Sequence, residues 1–368
     1  MATDPRPQVR VLKSPGKALL RDLSPMELSR LLAALRQPAY RARQLGRWLF
    51  RAGAMSWDEM TNLPQDLRRE LATRYDVQAL RIEQRLVSHD GTRKFLFHLR
   101  DGEAVESVMI PMPSYTTFCL SSQIGCARNC QFCATARKGL SRSLQCGEIL
   151  EQVIHLSNDL GNQPVSGHGD RQFNLVLMGM GEPLDNWAQV APALETLTAR
   201  AGFGISVRRV TISTSGPVMG LKRLLTFGPK VGLTLSLCGI SPSTRSRLMP
   251  SLASHPLPEI LDLAEAYARR IGRRVTLAYI LLGGLTDDLN EARLLAACAR
   301  GRPFKINLIP WNVWEGCGWK APESTRVDRF QECLLAEGLK ATVRASGGQD
   351  IDAACGQLRR RSQSSPQS

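Results

Sequence analysis

Three thiols crowd into GCARNCQFC, residues 125–133, at Cys126, Cys130 and Cys133, with gaps of three residues and then two. A structural zinc site takes four ligands and usually draws them from paired Cys-x-x-Cys units, so zinc fits this spacing less well. Three thiolates can instead hold three irons of a four-iron cluster, leaving the fourth iron open to a small molecule. The competing reading is a set of unrelated buried thiols, which clustering within eight residues among Arg128, Asn129 and Gln131 disfavours. Two more cysteines have suggestive settings. Cys355 precedes a glycine in DAACGQL, where a turn can expose its sulfur, and Cys119 stands seven residues before Cys126. On residue type alone, both are more often small buried hydrophobes than reagents. Cys298 and Cys333 lie in apolar helical settings and read as structural, and the five histidines are too dispersed to give a metal spacing. In FNLVLMGMGEP an apolar run ends in Gly179, Gly181 and Glu182, which lets backbone approach a ligand and offers a carboxylate to an ammonium. A plain strand-to-helix turn at Pro183 accounts for the same residues.

These side chains need a scaffold that brings them together. Apolar runs TTFCLSSQI, FNLVLMGM, RRVTISTSG, VGLTLSL, RRVTLAYILL and PFKINLIP alternate with amphipathic stretches such as GEILEQVIHLSNDL and LPEILDLAEAYARRI. Buried runs separated by helices predict parallel strands in repeated strand-helix units, as a barrel or an open sheet, with chemistry where the strands end. Ahead of them, Leu23 to Tyr75 reads as helical, with Ser24 capping a start at Pro25. Residues 77–110 read as strands with turns at Asp90-Gly91 and Asp101-Gly102. Together these give an N-terminal accessory region of 1–110.

The chain has 368 residues, is 43% hydrophobic and carries a formal charge of +15. That excess suits a polyanionic partner, because Lys and Arg that neutralise phosphates release counterions. A generally basic solvated surface explains the charge equally well. Arg128, Arg137, Lys138 and Arg142 flank the cysteine loop, and Trp311 or Trp314 could stack on a base, although a buried strand-end tryptophan is the simpler reading. There is no long apolar span and no signal-like N-terminal stretch, so a cytoplasmic protein with no membrane partner is expected.

Five motifs in order carry a resemblance: CLSSQIGCARNCQFCATARKGLSRSL, LMGMGEPLDN, RRVTISTSG, NLIPWN and QDIDAACGQL. They resemble the RlmN and Cfr family of radical S-adenosylmethionine RNA adenine methyltransferases, over about Leu23 to Leu358 and including DEMTNLP. The resemblance implies an α/β fold: a partial (β/α)6 radical-SAM barrel with a small N-terminal helical plus β accessory domain. It divides the chain into an accessory domain at 1–110, a core at 111–346, and a segment at 347–368 that carries Cys355, while the composition of the closing RRRSQSSPQS, basic and then Ser- and Gln-rich, predicts a disordered tail. The resemblance implies one 4Fe-4S cluster on Cys126, Cys130 and Cys133, and two S-adenosylmethionine molecules per turnover. Gly181, Glu182, Ser213, Ser236, Leu237, Cys238 and Asn312 match the cofactor-binding positions, and Met178 a pocket position.

In the family mechanism Cys355 takes a methyl group, whose carbon, once made a radical, adds to the base and tethers the RNA through sulfur. Cys119 then resolves the tether, leaving a disulfide for a reductant to reopen, while Glu106 takes part in proton handling. The implied partners are 23S ribosomal RNA at the peptidyl transferase centre, tRNA beside the anticodon and an external low-potential electron donor; DNA is not expected. Carbon 2 of adenosine is the implied target, with a Cfr-like reaction at carbon 8 as the near alternative. The chain departs from the family pattern at three places, Cys238 for His, Gly347 for Arg and Ala278 for Glu, and the first and last of these leave open a non-catalytic RNA-binding iron–sulfur protein. Retention of Cys119 and Cys355 argues against it, because binding would need neither.

Overall fold

The computed structural model describes residues 16–161, 173–314 and 316–358. Strand β1 (Ala18–Leu19) leads to helices α1 (Pro25–Ala34), α2 (Ala39–Arg47) and α3 (Gln65–Arg74), and strand β2 (Tyr75–Asp76) returns to pair parallel with β1. The Ser24 hydroxyl accepts the Glu27 N–H while the Glu27 carboxylate accepts the Ser24 N–H, so a reciprocal capping box starts α1 where the sequence placed it. Leu28, Leu32, Leu45, Leu67 and Leu71 supply the buried stripes of the three helices.

Strands β3 (Leu80–Val87), β4 (Arg93–Leu99) and β5 (Ala104–Pro111) form an antiparallel meander, and β5 pairs antiparallel with β6 (Thr116–Leu120). The meander therefore extends the main sheet rather than forming one of its own. The run TTFCLSSQI, continuous in sequence, breaks after Leu120 because Ser122 N–H turns to the Met180 carbonyl and Ser121 Oγ donates to the Glu106 carbonyl. Its end becomes β7 (Gln123–Gly125), which pairs with β8 (Leu140–Ser143) across the cysteine loop.

The repeating part follows: α4 (Cys146–Leu160), β9 (Phe173–Leu177), α5 (Trp187–Thr198), β10 (Val210–Thr214), α6 (Val218–Phe227) and β11 (Gly232–Leu237). Helices α7 (Pro242–Leu248) and α8 (Leu257–Ile271) precede β12 (Val275–Leu281), α9 (Leu289–Ala299), β13 (Phe304–Pro310), α10 (Ser324–Ala336) and β14 (Ala341–Val343). One sheet runs in the order β14-β13-β12-β11-β10-β9-β6-β5-β4-β3. Strands β6 and β9 to β13 are parallel and each is followed by a helix, giving the expected six units of a partial barrel; β14 adds a short parallel edge. Among the described residues no helix is long and apolar enough to cross a membrane. Residues 359–368, expected as a tail, lie outside the described residues.

Two polar ties join the N-terminal helices to α4. Arg21 and Glu151, both buried, approach to 3.3 Å. Arg21 also donates to the Leu49, Ala54 and Val77 carbonyls, and Glu151 accepts the N–H groups of Ala79 and Leu80. Removing one partner of such a pair strands the other charge, at a cost of about 3–5 kcal/mol. Glu151→Ala is therefore expected to lose about that much unfolding free energy in a urea titration. The second tie is Asp22, whose Oδ1 accepts the Gly147 N–H at 2.7 Å. Burial pushes its carboxyl up to about 6, with Glu148 adding to the rise and the Gly147 bond opposing it. The unfolded chain ionises this group near 4. The folded state thus holds the extra proton between the two values, and the stability this brings below pH 4 is lost as pH rises through 6. Asp22→Asn keeps an acceptor for Gly147; it is expected to stabilise the protein above pH 6 by up to roughly 3 kcal/mol and not below pH 4, in melts across that range.

Candidate active site

Along the barrel strands every second side chain points to one face. Thr117 and Cys119 on β6, Thr211 and Ser213 on β10, and Thr234 and Ser236 on β11 open in this way onto a cavity of about 820 Å3. Ala278 lies there beside Ser236 in register. The cavity extends to the loops beyond the C-terminal strand ends, where α/β proteins place their chemistry.

The cysteine loop forms one wall. Gly125, at φ 78°, opens it; a Cβ there would sit 1.9 Å from the Gly139 carbonyl oxygen, the same oxygen that accepts the Cys126 N–H at 3.1 Å. Asn129 turns the loop with a φ of 51°, a conformation its short polar side chain tolerates. Cys126, Cys130 and Cys133 all line the cavity as free thiols. Burial pushes the Cys126 thiol up to about 12 and raises Cys130 and Cys133 as well, and ionisation of one would raise the next. A metal that binds them must displace protons. Under the loop, Trp311 and Trp314 donate their Nε1–H to the Phe132 carbonyl at 3.0 and 3.2 Å, and Trp319 donates to Gln131 at 3.1 Å. The first two are 4% and 8% exposed. They are struts that hold the loop, which corrects the idea of an exposed platform for a base.

The donor set suits a cluster. Among the described residues no three His, Cys, Asp or Glu side chains converge as a single metal ion requires, whereas cluster thiolates each take a different iron. The Arg128 N–H lies 3.4 Å from Cys126 Sγ, the kind of sulfur hydrogen bond that tunes clusters. Arg245, which sequence reasoning overlooked, lies behind the loop with all three guanidinium nitrogens buried and without a hydrogen-bond partner among the described residues.

Gly181, at φ 99°, turns the chain after β9 so closely over Gln123 that a Cβ would meet that side chain at 2.5 Å. The Gln123 side-chain oxygen Oε1 in turn accepts the Glu182 N–H at 2.8 Å. The Glu182 carboxylate accepts from Leu184 N–H and the Thr214 hydroxyl on one oxygen and from Ser215 N–H and hydroxyl on the other. These four donors use the capacity the sequence reserved for an ammonium, although either hydroxyl can rotate away and return a lone pair. Burial raises the Glu182 carboxyl against the pull of its donors. Ser213 and Ser236 hydroxyls meet at 3.0 Å on the cavity wall. Asn312 donates to the Cys355 carbonyl at 3.3 Å and accepts from Gln349 at 3.0 Å. Leu237 and Cys238 do not join them. Both are fully buried, Leu237 in the main core and Cys238 behind the cysteine loop, its Sγ 3.9 Å from the Ile280 carbonyl.

Cys119, on β6, and Cys355, near the C-terminus, open onto the same cavity. Burial pushes the Cys119 thiol up to about 12, a charge on Cys355 would raise it further, and nearby Arg344 opposes both. Arg344 also lies 3.8 Å from Met178 Sδ, which shares the wall. The segment bearing Cys355 is pinned along its length. Gly348 N–H donates to Asp90 at 2.9 Å, Lys94 Nζ to the Asp352 carbonyl at 3.1 Å, and Ala134 N–H to the Gly356 carbonyl at 2.8 Å. Glu106 is buried outside the cavity lining and pairs with that same Lys94 at 3.6 Å.

Two of the arginines expected at an RNA surface have partners in their own chain: Arg128 pairs with Asp185, and Arg142 bridges Asp101 and Glu148. Elsewhere on the chain, Arg270 and Arg273 likewise donate to backbone carbonyls. Arg208, Arg209, Lys305 and Arg344 line the cavity and give it a basic rim.

Residues 19–77 match a family model described as the ribosomal RNA large subunit methyltransferase N-terminal domain, and residues 120–296 match the radical SAM superfamily. The chain is 45% identical over 340 residues to a dual-specificity RNA methyltransferase RlmN of Anaeromyxobacter sp., covering 92% of this chain and 90% of the relative. It is 41% identical to the protein of the same description from Geobacter sulfurreducens, covering 92% and 91%. The fold is similar to the crystal structure of a radical SAM methyltransferase from Sphaerobacter thermophilus, with a TM-score of 0.86, 39% identity, and coverage of 93% and 99%.

Proposed function

Since the chain belongs to the RlmN family of radical S-adenosylmethionine RNA methyltransferases, we propose that it methylates carbon 2 of adenosine through a methylated Cys355. Its substrates in this reading are 23S ribosomal RNA at the peptidyl transferase centre and tRNA beside the anticodon. The observation that carries the reading is that Cys119 and Cys355 share one cavity with Cys126, Cys130 and Cys133. A site that only bound RNA would not need two further thiols beside a cluster loop.

Cys126, Cys130 and Cys133 would hold the 4Fe-4S cluster, and Gly181, Glu182, Ser213, Ser236 and Asn312 would surround S-adenosylmethionine. When bound, these groups supply a methyl cation equivalent and, with an electron from an external donor, a carbon-centred radical, at two S-adenosylmethionine molecules per product. Cys355 accepts the methyl on sulfur and gives up its proton, as a displacement on carbon requires of a thiol. That methyl gives up one hydrogen atom to the radical, and its carbon then bonds to the base and tethers the RNA to Cys355. Cys119, as a thiolate, takes the ring proton and hands it to the methylene carbon as its own sulfur bonds to Cys355 sulfur; the sulfur–carbon bond breaks, the one surplus electron leaves to the external redox partner, the methylated product departs, and a disulfide remains for an external reductant. Arg344 favours that thiolate against the burial that suppresses it. Glu106 acts through Lys94, which bears on the Asp352 carbonyl and so on the segment presenting Cys355. The basic rim offers phosphate contacts that position the strand. Cys238 departs from the family pattern behind the cysteine loop rather than on the cavity wall, which leaves the reacting surface unaltered by that change.

The test is anaerobic reconstitution with reductant and S-adenosylmethionine bearing a fully deuterated methyl, followed by mass spectrometry of nucleosides from ribosomal RNA and tRNA. A new carbon-2 methyl that retains two of its deuteriums is the expected product. Methylation at carbon 8 would overturn the target, and an absence of product with the cluster intact would overturn the catalytic reading.

A further inference from the structure

Arg245 is a buried cation whose guanidinium no described residue answers with a hydrogen bond. Its side chain is 5% exposed, and Nε, Nη1 and Nη2 are sealed from solvent with no hydrogen-bond partner among the described residues. It sits on α7, where its own backbone carbonyl accepts the Met249 N–H; one residue before that, the Leu248 carbonyl accepts the Gln131 N–H of the cysteine loop at 2.9 Å. Leu248 and Met249 pack in one apolar group with Phe132 and Cys238, and Cys130 and Cys133 rest against it. The groups whose negative charge would reach the guanidinium are Cys130 and Cys238. Cys238 donates its own proton toward the Ile280 carbonyl and stands outside the three-cysteine loop, so Cys130 is the partner that iron binding would make anionic.

A guanidinium stays protonated in proteins, and leaving one buried and unpaired costs several kcal/mol. Such a cost makes sense if an opposite charge arrives later. Three thiolates around a four-iron core bring net negative charge to this loop, and reduction adds one more electron. In a medium of low effective dielectric a fixed cation close by favours the more negative state. We propose that Arg245 is the counter-cation of the cluster, a positioning residue that α7 holds against the cysteine loop to offset the cluster's charge and ease its reduction. This rests on the reading that Cys126, Cys130 and Cys133 hold that cluster.

The parent protein, Arg245→Met and Arg245→Lys are reconstituted anaerobically, assayed for iron and sulfide, and titrated redox-potentiometrically with the reduced cluster followed by electron paramagnetic resonance. At a fixed potential, fully loaded Arg245→Met is expected to show about a tenfold smaller ratio of reduced to oxidised cluster, equivalent to about 59 mV for one electron. Arg245→Lys, which keeps the charge, is expected to stay within about twofold of the parent. Thermal melts supply a readout independent of the cluster's chemistry. The cluster-free Met variant should melt no lower than the cluster-free parent, because methionine removes an unanswered charge while keeping an apolar stem. Cluster loading should then raise the parent's melting temperature more than the variant's. An unchanged redox ratio in the loaded Met variant, equal gains on loading, or a cluster-free variant that melts below the parent would each overturn the inference while leaving the cluster assignment standing. A parent that takes up no iron would instead overturn the assignment of the three cysteines, and this inference with it.

Discussion

Cys355→Ala is expected to reduce RNA methylation by about a thousandfold or more while the protein still loads its full complement of iron and sulfide. Losing a nucleophile that carries the transferred carbon removes the route rather than slowing it. Iron content should survive because the segment is not held by the Cys355 sulfur. Its carbonyl accepts from Asn312, the neighbouring Gly356 carbonyl accepts from Ala134 beside Cys133, and Gly348 and Asp352 are tied to Asp90 and Lys94. Alanine keeps every one of those bonds. A methylation assay run beside iron and sulfide analysis separates the outcomes: full loading with no product supports the methyl-acceptor role, and ordinary turnover by the variant rules it out.

What the sequence made legible was local. The Ser24–Glu27 box, the Asp-Gly turns and the alternation of apolar runs with amphipathic segments each depend on residues close in sequence, and each appears where expected. The cysteine spacing likewise placed three thiols on one loop. Contacts over long separations were not legible. Nothing local in AVESVMIP indicates that β5 pairs with β6 and makes the meander part of the barrel sheet. Nor does a run of arginines disclose that Arg128 answers Asp185 and Arg142 answers Asp101 and Glu148, so charge near the loop looked freer for RNA than it is. One signal was available and unused. With Ser236 facing the cavity, strand alternation sends Leu237 into the core, and β11 ends there, before Cys238 could return to the same face. For Arg245 no signal existed, because SPSTRSRL reads as an ordinary polar helix start and only packing shows the guanidinium sealed behind the cysteine loop.

Cys119→Ala should turn a catalyst into a trap. If the RNA becomes tethered to Cys355, release requires a second sulfur that can reach the first, and the cavity restricts the choice. Of the ten cysteines, Cys146, Cys238, Cys298, Cys317 and Cys333 do not line it, and Cys126, Cys130 and Cys133 would be committed to iron. Cys119 alone remains, fixed at the end of β6 between β5 and β9, in register with Val108 and Val176. Its strand position leaves little freedom to improvise, so approach must come from Cys355, which is half-buried on a turn before Gly356. Removing Cys119 should therefore stop the reaction after about one turnover, with a covalent protein–RNA species that survives denaturing electrophoresis and carries the labelled methyl carbon. The Cys119→Ala, Cys355→Ala double variant should form no such species, which assigns the attachment to Cys355 sulfur rather than to incidental crosslinking. Repeated turnover by Cys119→Ala without an adduct would remove the second thiol from the mechanism and require another group in the cavity to break the sulfur–carbon bond.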